Sequence, residues 1–153
     1  MKKSYIVEEE YKKILDRVPI CCVDIIIKGH KGVLLVKRKN KPFSNTWWVP
    51  GGRVYKNEKL QDAAIRKVLE ETGLNIKISN KVGVYETMSD ENIFEDMKSG
   101  THTINIVFFA ELLNNKNINL DNAHLEYKWI ESIEDNFHSY IKEILKDSEV
   151  FTE

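Results

Sequence analysis

Between Gly52 and Leu74 the chain carries a spacing that leaves few folds open. Gly52 is followed after five residues by Glu58, and Glu58 after seven more by Arg66. Then come Lys67, Val68, Leu69, Glu70, Glu71, Thr72, Gly73 and Leu74. Periodicity predicts a helix over Leu60–Thr72, with Gly73 as its C-cap and a loop on either side. At about 100° per residue, Ala63, Lys67, Glu70 and Glu71 share one arc, and Ala64, Ile65, Val68 and Leu69 fill a neighbouring one. The second arc is expected to pack on a sheet, leaving the first to present two adjacent carboxylates.

Adjacent acids repel unless a cation neutralises them. Oxygen ligands of this kind suit Mg²⁺ or Mn²⁺, which keep several waters and share phosphate oxygens with a substrate. A solvated acidic helix face would look the same locally, so the weight rests on the whole run from glycine through arginine to glycine. Gly51 and Gly52 let the backbone approach an ion or phosphate closely. Glu58 is expected at the helix entry, and Arg66 as the partner of a carboxylate.

The rest of the chain reads as one domain over 1–153. Its 153 residues suffice to bury roughly two-thirds of the unfolded surface. Net charge is −1, from 23 Lys+Arg against 24 Asp+Glu, and no basic run offers a nucleic-acid surface. No apolar run approaches the roughly 20 residues of a membrane span. Met1-Lys2-Lys3-Ser4 runs on into an acidic stretch rather than an apolar signal region. Cys21 and Cys22 are adjacent and would point to opposite faces of a strand, which favours free thiols and a cytoplasmic setting.

Helices are predicted over Glu8–Asp16, Leu60–Thr72 and Phe137–Lys146. Strands are predicted over Ile20–Lys28, Val33–Arg38, Trp47–Pro50, Thr101–Leu113 and Glu126–Ile130, and Ile76–Met88 reads as one long or two broken strands. Ser89–Gly100 is acidic and irregular, the segment expected to be a mobile loop. Asn114–Asn122 is Asn-rich and expected to be exposed. Strands joined partly by hairpins and mixed with a few helices suggest an α/β (α+β) fold, a mixed sheet between helices.

The glycine-to-glycine run resembles the Nudix box, G-x5-E-x7-R-E-U-x-E-E-x-G-U with U aliphatic. The resemblance implies an α/β/α sandwich, divalent metal held against a diphosphate, and the Gly51 carbonyl, Glu70 and Glu71 as metal ligands. One position departs from it: Lys67 stands where the pattern has its first helical glutamate, the residue that often activates the attacking water. An ammonium cannot accept a proton, so the base must lie elsewhere or the site is inactive. Histidine is the natural candidate near neutral pH, and the chain has four: His30, His102, His124 and His138.

The chain is also similar to one Nudix branch, the GDP-mannose mannosyl hydrolases. The matching stretches are Val18-Pro19 through Asp24, Leu34 through Pro42, Trp47 through Val54, Ser99-Gly100-Thr101, and His124 with Tyr127 and Trp129. That resemblance implies His124 as general base, Asp24 at the sugar end, Arg38 and Arg53 on the leaving diphosphate, and Mg²⁺ on Glu71 and Gly51. It also implies a homodimer. Two departures stand out: Ala123 replaces a metal-binding glutamine, and Glu70 is kept where the branch lacks an acid. Trp47 and Trp48 could stack a purine or simply fill the core.

Three activities are therefore open. The first is hydrolysis of a nucleoside diphosphate sugar by water attack at the anomeric carbon. The second is the usual attack at phosphorus, with Glu70 or another acid as base and ADP-ribose or a nucleotide as substrate. The third is a catalytically inactive nucleotide-binding module.

Overall fold

The computed structural model describes residues 5–114 and 116–152; Met1–Ser4 lie outside them. Its elements are α1 (Glu8–Arg17), β1 (Ile20–Gly29), β2 (Gly32–Arg38), β3 (Trp47–Trp48), β4 (Gly51–Arg53), α2 (Leu60–Thr72), β5 (Ile76–Ser89), β6 (Thr101–Leu112), β7 (His124–Ile130) and α3 (Ser139–Asp147). The strands form one mixed sheet in the order β3-β2-β1-β6-β5, with β4 paired to β1 and β7 to β2. β1 runs parallel to β6 and antiparallel to β2 and β4.

The period-2 alternation of the central strands sorts their side chains between two layers. Val23, Ile25 and Ile27 of β1, Leu34 of β2, and Ile106, Phe108 and Ala110 of β6 meet Ala63, Ala64 and Val68 of α2. Ile26, Val33, Leu35 and Val107 point the other way, to Tyr140, Ile141, Ile144 and Leu145 of α3. The sheet is thus covered on both faces, the α/β/α sandwich expected. Burying each of these large side chains contributes about 1.5–3 kcal/mol. A smaller cluster of Leu15, Ile20 and Met97 seats α1 at the side. Among the described residues no helix is long and apolar enough to cross a membrane.

Three expectations change. The segment Trp47–Pro50 is not one strand. β3 pairs β2 through Trp47 and Trp48, and the chain then crosses to β1, where Pro50 accepts from the Ile25 amide and β4 begins at Gly51. Pro50 has no N–H to extend the first ladder. Within α2, Ile65 and Leu69 are exposed, whereas Ala63 and Ala64 are fully buried. Small side chains let the helix lie close to the sheet, and Ala63, Ala64 and Val68, not Ile65 and Leu69, form its packing face.

The acidic segment Ser89–Gly100 is tied down. Asp16 Oδ1 accepts from the amides of Lys98 and Ser99 and from the Ser99 hydroxyl, and Lys12 pairs with Asp96. Asn92 joins Met97 to Gly100 across the loop. Asn114–Asn122, of which residue 115 lies outside the described residues, is exposed or half-buried as expected, and its far end is tethered to the end of α2. There Asn119 N donates to Thr72 O and Asp121 N to Glu71 O.

Candidate active site

The loop before α2 owes its geometry to the β1–β4 ladder. Ile25 N donates to Pro50 O and Val54 N to Cys21 O, so Gly51, opposite Asp24, sits at a non-hydrogen-bonded position of the ladder. Its N–H and C=O therefore turn away from β1. The N–H meets Glu71 Oε2 at 3.3 Å. A β-carbon at Gly51 would stand 2.1 Å from Asp24 Oδ1, so only glycine lets this strand lie against that carboxyl.

Behind the loop, Arg66 is the hub. It donates through Nε to Glu58 Oε2 at 2.7 Å, and through Nη2 to Glu58 Oε1 at 2.9 Å and to the Arg53 carbonyl at 3.0 Å. Glu58 Oε1 also accepts from the Tyr55 amide, and its side chain is withdrawn from solvent. The Arg66 guanidinium holds the Glu58 carboxyl below the usual range. The expected roles of both residues fit this bidentate pair, which clamps the loop to the helix. At the other end Gly73 takes a left-handed φ of 74° and donates to Leu69 O, closing α2.

The two adjacent acids part company. Glu71 is buried, and burial pushes its carboxyl up to about 7 even though Lys67 and the Gly51 amide favour the charged form. Glu70 is half-exposed and is held on the outside by Arg66 Nη1 at 3.3 Å. Lys67 Nζ stands 3.3 Å from Glu71 Oε1 and 3.5 Å from Glu70 Oε2.

Glu71 opens into a cleft of about 240 Å³ whose lining includes Asp24, Arg38, Trp48, Gly51, Arg53 and His124. All the expected catalytic, substrate and metal residues but one thus meet there: Asp24, Arg38, Gly51, Arg53, Glu71 and His124. The exception is Glu70, which does not line the cleft. Arg38 and His124 are cross-strand partners of β2 and β7, beside an irregularity in the ladder. Arg38 donates through Nε to Pro42 O at 2.9 Å and lies over the Trp48 ring. Its burial draws the guanidinium down from its ordinary value, against the pull of Asp24 and Glu71. Arg53 lies over the rings of Tyr11 and Tyr55.

His124 is nearly buried and held from both sides. Nδ1 is 2.7 Å from Asp121 Oδ1, and Nε2 is 3.6 Å from Glu71 Oε2. A carboxylate accepts, so Nδ1 donates to Asp121, and Nε2 faces Glu71 and the cleft. Among the other histidines, His30 is exposed in the β1–β2 turn. His102 lines the cleft and pairs with Glu86 at 2.9 Å. His138 caps α3 by accepting from the Tyr140 amide.

Asp24 is buried and accepts a short hydrogen bond from the Tyr140 hydroxyl. Burial pushes its carboxyl up to about 6, with Tyr140 and Arg38 opposing. Burial and the same contact drive the Tyr140 phenol far up, so it stays a donor. Trp48 stacks on Phe43 at 5.1 Å and lines the cleft, while Trp47 lies beneath Lys37 and Lys128.

Asp121 and Tyr140 carry no motif of their own. A local signal for Asp121 exists: Ala123 N donates to its Oδ1, the turn an Asp makes two residues ahead of an amide.

Among the described residues no three His, Cys, Asp or Glu side chains converge as a metal cluster. The donors fit one hard dication rather than a cage. Glu71 and the outward-turned Gly51 carbonyl suit an ion that takes its remaining ligands from water and phosphate. Glu70 is already engaged with Arg66 and Lys67.

A mixed sheet between helices carries a glycine loop, a helix and an Arg–Glu clamp beside a cleft lined by the carboxyls of Asp24 and Glu71 and the cations of Arg38, Lys41 and Arg53. Residues 17–145 match the NUDIX domain, and the chain belongs to that family. It is similar to the low-salt glycan biosynthesis protein Agl8 of Haloferax volcanii, 34% identical over 138 residues that cover 90% of this chain and 87% of that protein. It is 37% identical over 95 residues to an ADP-ribose pyrophosphatase of Methanocaldococcus jannaschii, covering 62% of this chain and 52% of the relative. The fold is similar to that of a MutT NUDIX hydrolase from Burkholderia pseudomallei, with a TM-score of 0.71 at 20% identity, over 86% of this chain and 98% of that one.

Proposed function

We propose that this chain hydrolyses a nucleoside diphosphate sugar of the GDP-mannose or GDP-glucose type, by attack of water at the anomeric carbon. The observation that carries the reading is His124: a nearly buried imidazole, oriented by Asp121, whose Nε2 faces the Glu71 carboxyl. Nε2 takes a proton from the attacking water, and Asp121 holds the tautomer and balances the imidazolium that results. Water enters opposite the leaving group, so the anomeric configuration inverts. Arg38 and Arg53 take up the negative charge growing on the diphosphate, the kind of fixed charge worth about 3–4 kcal/mol per well-placed donor. Asp24, anchored by Tyr140, is placed to receive sugar hydroxyls. Mg²⁺ or Mn²⁺ on Glu71 and Gly51 would supply further positive charge to the diphosphate. Likeness to a glycan biosynthesis protein over most of both chains supports a sugar-linked substrate.

A second reading keeps attack at phosphorus, with ADP-ribose or a nucleotide as substrate. Likeness to an ADP-ribose pyrophosphatase favours it over part of the chain. Products formed from GDP-mannose in oxygen-18 water separate the two. Label in the free sugar is expected. Label in a phosphate product would overturn the proposal, as would a near-normal rate for His124→Gln, whose kcat should fall by roughly 10²–10⁴-fold with little change in KM.

A further inference from the structure

Lys67 is the departure in the box that the reaction above leaves unused, and the fold gives its ammonium a defined place. The side chain is only 20% exposed. Its stem crosses the glycine loop where Gly52 has no β-carbon: one built there would lie 2.5 Å from Lys67 Cε. Nζ ends between Glu71 Oε1 at 3.3 Å and Glu70 Oε2 at 3.5 Å. A carboxylate at position 67 would leave three acids around this point, a strong attraction for a dication. The lysine instead puts a positive charge there on a covalent tether. A dication brought to the same point would stand within a few ångströms of the ammonium and be repelled. Arg66 fixes the one acid that could swing away, because its Nη1 holds Glu70 from the opposite side at 3.3 Å.

We infer that Lys67 is a built-in monovalent cation that occupies the space between Glu70 and Glu71, so that this chain takes a single divalent ion, at Glu71 and the Gly51 carbonyl. The inference rests on the proposed metal site at Glu71 but not on the substrate or on the bond cleaved. It also accounts for Glu70. Although acidic, Glu70 acts as counter-ion to Lys67 and Arg66 and not as a ligand or base. The ammonium is covalently tethered, so its positive charge at this corner of the site does not depend on metal supply.

Titration with Mn²⁺ alone, followed by electron paramagnetic resonance and by calorimetry, tests it. Wild type is expected to bind one ion per chain. Lys67→Glu should bind a second ion or tighten the first by roughly tenfold or more, because it removes one positive charge and adds a carboxylate. Lys67→Met, which keeps the aliphatic stem and adds no acid, should tighten the single site and keep one ion per chain. It guards against a folding defect in the glutamate variant. Two ions on the wild type would overturn the inference, as would unchanged stoichiometry and affinity in both variants, while the metal site itself stood. No uptake by any of the three proteins would overturn the metal site at Glu71, and the inference with it. Glu71→Gln in the wild-type background should abolish uptake; a variant that still binds one ion with unchanged affinity would place that ion elsewhere and refute both.

Discussion

Asp24 is where sequence chemistry and fold stability conflict most directly. It is an aspartate in the central strand of the sheet, 6% exposed. Burial raises its carboxyl from 3.8 to about 6, even with the Tyr140 hydroxyl and the Arg38 charge favouring the anion. The folded protein therefore binds a proton here across a window in which the unfolded chain has released it. Between about pH 4 and pH 6 the folded state holds more protons than the unfolded one, so stability falls as pH rises through that window. Each tenfold difference in proton affinity between the two states corresponds to about 1.4 kcal/mol, so the full cost is on the order of 3 kcal/mol, reached above pH 6.

Asp24→Asn is nearly isosteric and never ionises. Its carbonyl can still accept from the Tyr140 hydroxyl, and its amide takes the place of Oδ1 beside Gly51. Urea unfolding of the metal-free protein at pH 4 should show little difference between wild type and variant. At pH 7.5 the variant should be more stable by about 1–3 kcal/mol, the lower end applying if Arg38 loses favourable charge. A variant less stable than wild type at pH 7.5, or a constant difference across pH, would refute the account of Asp24 as a buried acid costly to ionise. The same variant should lose most of its activity if Asp24 receives the sugar, which would make this one of the places where function is kept at the expense of stability.

Two other substitutions probe the supports of the site. Asp121→Ala removes the acceptor of His124 Nδ1–H and should lower kcat about tenfold to a hundredfold with KM little changed, while Asp121→Asn, which can still accept through its carbonyl, should recover part of the loss; equal rates in wild type and the alanine variant would remove Asp121 from the mechanism. Asp16→Ala deletes the acceptor that three donors of Lys98 and Ser99 share, so trypsin cleavage after Lys98 in native protein should speed up by roughly an order of magnitude, and an unchanged cleavage rate would show that the segment is held by its other contacts.

How much of this is legible in the chain follows from how each part is encoded. Glu58, Arg66, Glu70 and Glu71 lie within one loop and helix, so covalent spacing alone places them on neighbouring turns, and the Arg66–Glu58 clamp matches its expectation. The sandwich is readable for a similar reason, because β1 is apolar on both faces and such a strand demands a layer on each side. Arg38 and His124 meet only through the β2–β7 pairing, a register no local pattern specifies. Likeness to a known family, rather than periodicity, is what brings them together in the sequence. Tyr140 is hidden for a different reason. In an amphipathic helix a tyrosine at a buried position reads as core, and only the folded sheet reveals the aspartate across from its hydroxyl. Packing misleads in α2, where Ile65 and Leu69 outrank alanine in hydrophobicity but not in closeness of approach.

The adjacent acids illustrate what spacing can and cannot decide. Consecutive helix residues diverge by about 100°, so Glu70 and Glu71 cannot both point squarely into one cleft. Sharing one ion would require it to sit between them at the helix surface, and that is where Lys67 Nζ is found. On either side of that ammonium, Glu71 faces inward to Gly51 and His124 and Glu70 faces outward to Arg66. The box thus holds an ammonium between two carboxyls that face different ways, and under the proposed reaction the proton acceptor is His124 on β7, which has Asp121 beside it.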